Sequence, residues 1–321
     1  MHHVDAAPPE SVRDMLVAAI LAFLGQDLLT LGDIRTALES EIDEAGPDAL
    51  LALKERLRAD NGWEYYPRDP LAQRIHHLLA DRLLRPDSML VGIEHVRAVA
   101  GRPVAIFANH LSYADVNLIE VLLHRAGGGS LADRLTAMAG PKVFTNRQRR
   151  FSSLCFGTVK VPQSAEVSSG EAVLSAREVA HAARRSIEVA RERLAAGDAL
   201  VIFGEGTRSR TREMHRLLPG VARYLDVPGA CVLPIGIVGT DDLFPIGAEG
   251  IHPCRGEVHV GQPIDVRVLR TTAGGDRRLM VDAIGLAIAE LLPAEYRGAY
   301  TDAPDLGEAQ RVLSAARNST D

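Results

Sequence analysis

The chain has 321 residues, 46% of them hydrophobic and 24% charged, and a formal net charge of −6. That length suits one large α/β domain with or without a smaller appendage, and that composition excludes a disordered or low-complexity chain. The negative balance excludes broad electrostatic capture of nucleic acid, so an anionic ligand must be met by a local basic patch.

Cys155, Cys231 and Cys254 are odd in number and lack CxxC spacing. They argue against a disulfide framework and against a structural zinc site, and they fit a reducing, cytoplasmic setting. Cys155 and Cys231 lie in apolar stretches and read as core. The longest apolar run, residues 15–24, is ten residues long, against about 20 for a membrane span. Residues 1–10 lack the basic region of a secretory signal. The expectation is a cytoplasmic protein, at most peripheral at the inner face of a membrane.

Residues 1–85 read as a helical domain. Apolar periodicity predicts helices over 12–24, 33–44, 48–59 and from Leu71 to Leu84, with Gly46-Pro47 and Asn61-Gly62 as breaks. Asp69 before Pro70 is an N-cap followed by proline at the first helical position. Four short helices predict a small bundle. Beyond Pro86 short apolar runs alternate with longer helical segments. Strands are expected at 88–93, 104–108, 135–139, 158–161, 199–203, 232–238 and 257–260, and helices at 116–125, 172–196 and 277–292. This alternation predicts a mixed, mainly parallel sheet flanked by helices over residues 86–296. Residues 297–321 are polar and read as a loosely held tail.

Two segments carry chemistry. Asn109-His110-Leu111-Ser112-Tyr113-Ala114-Asp115 directly follows a buried strand and opens a helix, where ligands bind in open α/β sheets. A histidine there can take a proton from an attacking hydroxyl near neutral pH. A carboxylate five residues on can bond the other ring nitrogen and stabilise the imidazolium. Alone, the pair also reads as a loop histidine and a helix cap. Phe203-Gly204-Glu205-Gly206-Thr207-Arg208-Ser209-Arg210 follows another buried strand. Its glycines admit close backbone approach, and its two arginines can grip a phosphate. Alone, it also reads as a solvated turn. Pro234, inside the apolar run 232–238, marks an edge, a strand start or an irregularity.

Together, in this order, these segments resemble the glycerolipid acyltransferase family, which includes glycerol-3-phosphate and 1-acylglycerol-3-phosphate (lysophosphatidate) acyltransferases. The NHxxxxD block is seen at Asn109–Asp115 and the EGTRS block at Glu205–Ser209, and the likeness covers roughly residues 88–265. The resemblance implies transfer of a fatty-acyl group from acyl-CoA or acyl-carrier protein to a glycerol-phosphate or lysolipid hydroxyl. His110 would be the base and Asp115 its partner. Glu205, Gly206, Thr207 and Arg208 would wall the glycerol phosphate, with Arg210 and Lys142 as further cationic contacts. No metal or organic cofactor is expected. Where the family has another arginine this chain has Gln163, with Lys160 nearby. The polar N-terminal region is similar to that of the soluble plastid-type members.

Lys142, Arg147, Arg149 and Arg150, with Phe151, Leu154 and Phe156, form a candidate membrane patch. Alternative functions are an acyl-thioester hydrolase, transfer to another hydroxyl acceptor, or a non-catalytic lipid-binding protein. A serine esterase is disfavoured because no GxSxG elbow is present.

Overall fold

The computed structural model describes residues 9–24, 31–60, 62–162, 175–243, 251–301 and 304–318. Helices α1 (Pro9–Leu24), α2 (Leu31–Arg58) and α3 (Pro70–Leu83) form an N-terminal layer. The expected break in α2 is real. Gly46 lies in the left-handed region at φ 82°, just ahead of Pro47, a conformation that suits a residue without Cβ. Asp69 caps α3 as expected, accepting from the Leu71 and Ala72 amides at 3.0 Å.

Among the described residues the sheet has nine strands: β1 (Tyr65–Tyr66), β2 (Met89–Val91), β3 (Val104–Ala108), β4 (Leu135–Ala139), β5 (Gly157–Lys160), β6 (Ala199–Phe203), β7 (Cys231–Val238), β8 (Glu257–Val260) and β9 (Ile264–Asp265). The order is β1-β5-β4-β6-β3-β7-β8-β2, with β9 also on β7. From β5 to β7 all pairs are parallel; β1 is antiparallel to β5, β8 and β9 are antiparallel to β7, and β2 is parallel to β8. All five residues of β3 are buried, as a central strand covered on both faces must be.

Helices fill the connections: α4 (Ile93–Ala98), α5 (Asp115–Arg125), α6 (Gly129–Ala132), α7 (Pro141–Thr145), α8 (Arg147–Ser153), α9 (Ala176–Ala195), α10 (Thr240–Leu243), α11 (Val266–Thr272), α12 (Arg277–Ala289) and α13 (Gly307–Asn318). Ser175 and Glu178 close a capping box at the start of α9. Parallel pairing brings the C-terminal ends of β3, β4, β5, β6 and β7 to one edge, so the segments after them meet there.

Asn109 extends the β3–β7 pairing with its side chain. Its amide donates to the Ile237 carbonyl at 2.9 Å and its Oδ1 accepts the Ile237 amide at 2.7 Å. Pro234 proves to be an irregularity within a central strand. β3 flanks β7 along one side; on the other, β8 reaches only Ile235 and β9 only Val232, so no ladder there requires the missing amide.

The reading of the tail is corrected. Residues 307–318 form α13, which buries Ala309, Val312, Leu313 and Ala316 and packs on α11 and α12. Its polar face hid a narrow apolar stripe at helical spacing. One buried apolar cluster runs from Val12 to Ala316, so the N-terminal layer and α13 share the core of the sheet. Leu313→Ala is expected to lower unfolding stability by about 2–5 kcal/mol in urea denaturation; a loosely held tail would show no change.

Candidate active site

The Asn109–Asp115 segment leaves β3 and turns into α5, the turn being held by the carboxylate that closes it. Asp115 is fully buried and sits at the first residue of α5, where the helix field favours an anion. It accepts the Leu111 amide at 2.8 Å, the Ser112 amide at 3.1 Å and the Thr240 hydroxyl at 2.5 Å. Its Oδ2 lies 2.7 Å from His110 Nδ1. The ring of His110 stacks on Phe203, centroids 4.0 Å apart and planes 13° apart. One face and one nitrogen of the imidazole are thus committed. Among the described residues no hydrogen bond engages Nε2, and the side chain keeps 17% of its surface.

Glu205 belongs to the same assembly, but its carboxylate faces inward. Oε1 accepts the His110 amide at 2.9 Å and Oε2 accepts the His215 amide at 2.7 Å. Glu205 therefore braces the loop after β6 against the loop after β3, aided by the Ser209 amide, which donates to the His110 carbonyl at 2.7 Å. Burial raises its pKa to about 7 against these two bonds, and the Asp115 charge adds to the rise. Gly206 takes φ 74°, and a Cβ there would meet the Leu218 side chain at 2.7 Å. Thr207 and Arg210 are exposed beside it.

Arg208 lies over the ring of Tyr113 at 3.9 Å, and Arg149, from α8, lies over the same ring at 4.0 Å. Two guanidinium groups from distant segments so converge three residues beyond His110. Lys142 is half-buried in the first turn of α7, at the C-terminal end of β4 and therefore on the same sheet edge. Lys160 is engaged elsewhere: its ammonium is 3.2 Å from Asp60 and faces the rings of Trp63 and Phe144. Gln163 lies outside the described residues.

Sequence reasoning missed Arg149 as a site residue, along with Phe203, Tyr113 and Thr240. Arg212 was also missed. It adopts φ 72°, a left-handed conformation costly for a side chain, and its guanidinium pairs with Asp241 and Asp242 beside Thr240. It ties the loop after β6 to α10.

The candidate membrane patch is corrected. Arg150, Leu154 and Phe156 are buried. The Arg150 guanidinium lies 4.4 Å from the Tyr66 ring and 4.9 Å from that of Phe144, and donates to the Arg56 carbonyl. A basic side chain beside aromatics in sequence had its stem and head in the core. Arg147 remains exposed. No described helix is long and apolar enough to cross a membrane.

An apolar cavity of about 360 Å³ opens between α1, α2, α3 and α8, with Ala114 and Asn117 at the start of α5 in its lining. Met15, Phe23, Leu53, Leu79, Ala114 and Phe151 are among its lining residues.

Residues 89–238 match the family model described as Acyltransferase. Over 124 residues the chain is 32% identical to a 1-acyl-sn-glycerol-3-phosphate acyltransferase of Chlamydomonas reinhardtii, the match covering 38% of this chain and 35% of that protein. The chain thus spans about a third of the length of this curated relative. Among solved structures, the 1-acyl-sn-glycerophosphate (LPA) acyltransferase PlsC of Thermotoga maritima is 18% identical with a TM-score of 0.44, covering 88% of this chain and 95% of that one.

A carboxyl whose folded pKa is raised binds its proton more tightly in the folded state. Its contribution is full below the unfolded value of 4.5 and is lost as pH rises towards 7. The Glu205 share of that slope is on the order of 3 kcal/mol. Stability of the Glu205→Gln variant, by urea denaturation at pH 4.5 and pH 7.5, is expected to fall less with rising pH than that of the parent. Parallel pH profiles would refute this.

Proposed function

We propose, from the premise that the chain belongs to the acyltransferase family through residues 89–238, that it moves a fatty-acyl group from an acyl thioester to a hydroxyl of a lysophosphatidate- or glycerol 3-phosphate-type acceptor. The observation that carries this reading is the His110–Asp115 pair at 2.7 Å, with Nε2 unengaged among the described residues.

The acceptor hydroxyl gives its proton to His110 Nε2 as its oxygen attacks the thioester carbonyl carbon. Asp115 remains ionised, fixes Nδ1–H towards itself and stabilises the imidazolium. Collapse of the tetrahedral intermediate breaks the C–S bond, and the thiolate leaves with the proton from Nε2. No protein nucleophile takes part. Arg208 and Arg149, both on Tyr113, receive the acceptor phosphate, since guanidinium groups bind it through paired N–H bonds. Thr207, Arg210 and Gly206 line the exposed side of that pocket, and Lys142 adds charge from the end of β4. Glu205 positions His110 through its backbone amide. The fatty-acyl chain lies in the apolar cavity that Ala114 helps to line, whose walls suit a hydrocarbon. The lysophosphatidate acceptor is favoured by the name of the algal relative. Either acyl-CoA or acyl-carrier protein serves as donor, and no cofactor is invoked.

The test is thiol release from palmitoyl-CoA, and from palmitoyl carrier protein, with 1-acylglycerol 3-phosphate, with glycerol 3-phosphate and with neither. Release that requires an acceptor is expected, and His110→Ala should lower it by about 10²–10⁴-fold. Release without acceptor would make the protein a thioester hydrolase, and none with either donor would refute the reading.

Arg208→Ala and Arg149→Ala are each expected to raise the acceptor KM by about 10-fold or more, as loss of a charged hydrogen bond does, with a smaller effect on the donor KM. An effect confined to the donor would move the phosphate site elsewhere.

A further inference from the structure

A second cluster of polar side chains lies away from the reaction centre. His77 on α3, and Glu120 and His124 one turn apart on α5, bring their ligand atoms within 4.8 Å of one another. His77 Nε2 is 2.9 Å from each Glu120 oxygen, and His124 Nε2 is 3.2 Å from Oε1. Donor atoms at about 2.0–2.2 Å from one tetrahedral ion stand about 3.3–3.6 Å apart, so the 3.2 Å separation of His124 lies near such an edge and the 2.9 Å separations of His77 open by roughly half an ångström to admit an ion. The two rings meet edge to face with centroids 5.0 Å apart, so both imidazoles address one carboxylate.

An ordinary buried ion pair accounts for His77 and Glu120 but leaves His124 unexplained. Among the described residues its buried Nε2 has no hydrogen-bond partner, although a carboxylate oxygen stands 3.2 Å away. A buried ring nitrogen without a partner is costly, and a cation seated between it and Glu120 removes the cost. The remaining neighbours act as supports. Gln73 donates to Glu120 Oε1 at 2.8 Å, and His76 Nε2 stands 3.5 Å from Oε2 and 3.2 Å from the Asn117 carbonyl. Outer contacts of this kind orient metal-binding carboxylates. Asp133, 3.5 Å from His124 Nε2 and paired with Arg68, is within reach as a fourth donor.

We propose that His77, Glu120 and His124 form a binding site for a divalent transition-metal ion of the zinc class, with Asp133 completing the coordination. Two imidazoles and a carboxylate suit such an ion better than calcium or magnesium, which take oxygen. Glu120 lies about 7.5 Å along α5 from Asp115 at 1.5 Å per residue, so the ion takes no part in acyl transfer. It joins α3, in the N-terminal layer, to the helix that begins with Asp115. The cysteine pattern gave no hint of it. The sequence signal is the Glu120-x-x-x-His124 spacing, one face of a helix.

The test uses the untagged full chain, treated with chelator and returned to metal-free buffer. Cobalt(II) is expected to give one equivalent of visible d–d absorption, displaced by zinc, and zinc at 100-fold excess over its Kd should raise Tm by about 5 °C. His124→Ala and His77→Ala should each abolish the absorption and the Tm shift, while His259→Ala, at a histidine paired with Glu257, should keep both. His77 is half-buried, so its variant carries the test if His124→Ala does not fold by circular dichroism. The proposal is overturned by no absorption and no Tm shift in the parent at 100 µM metal, or by binding that survives His77→Ala.

Discussion

Asp115 has no exposed surface, and a carboxylate taken out of water is tolerated only where donors replace its hydration. Its donors come from three places in the chain: the ring of His110, the amides of Leu111 and Ser112, and the hydroxyl of Thr240. The turn after β3 must therefore close on itself, and the end of β7 must lie beside it. That second condition is met because Asn109 completes the β3–β7 pairing with its own side chain. Removing the charge would leave four donors without a common acceptor, so the loop conformation and the histidine orientation depend on the same group.

The same economy shapes the loop after β6. Glu205 spends both oxygens on backbone amides, one of them that of His110. The glutamate of the EGTRS block thus acts on the histidine through the main chain and leaves the exposed contacts to Thr207, Arg208 and Arg210. Arg208 in turn has its guanidinium placed by Tyr113, a residue of the other block. The two blocks form one assembly joined by hydrogen bonds and ring contacts. Each supplies the support of the other, which is why they must sit on adjacent parallel strands.

Strands that are apolar throughout, such as 104–108 and 199–203, were legible in the sequence because burial on both faces leaves no alternative composition. The helix caps at Asp69 and the break at Gly46 were legible for equally local reasons. His110, Asp115 and Arg208 follow strand ends, but their spacing alone left them open to blander readings, and the pairing of the two blocks, through its resemblance to the acyltransferase family, singled them out. What escaped was set by distant pairing. β1 has only two residues and is recognised only by its partner β5. Arg149 and Arg150 are neighbours, yet one faces Tyr113 at the site and the other enters the core against Tyr66 and Phe144. A basic run gives no indication of which member turns inward. The stripe in α13 was hidden by the polar residues that share the helix.

The burial of α5 extends the argument from one carboxylate to a whole helix. Residues 115–123 are all buried, including Asp115, Asn117 and Glu120, so each polar group needs a partner from a different neighbour. Asp115 faces the loops at the strand ends. Asn117 exchanges hydrogen bonds with Ser152 of α8, at 2.7 Å from its hydroxyl and 3.3 Å to its carbonyl. Glu120 meets Gln73 and His77 of α3. An apolar helix of the same shape would satisfy the core and leave its rotation free. With three polar groups at these positions, a turn of the helix about its axis would strand all of them at once, at about 1–3 kcal/mol or more apiece. The register of α5 is fixed from three sides, and with it the point in space from which Asp115 holds His110.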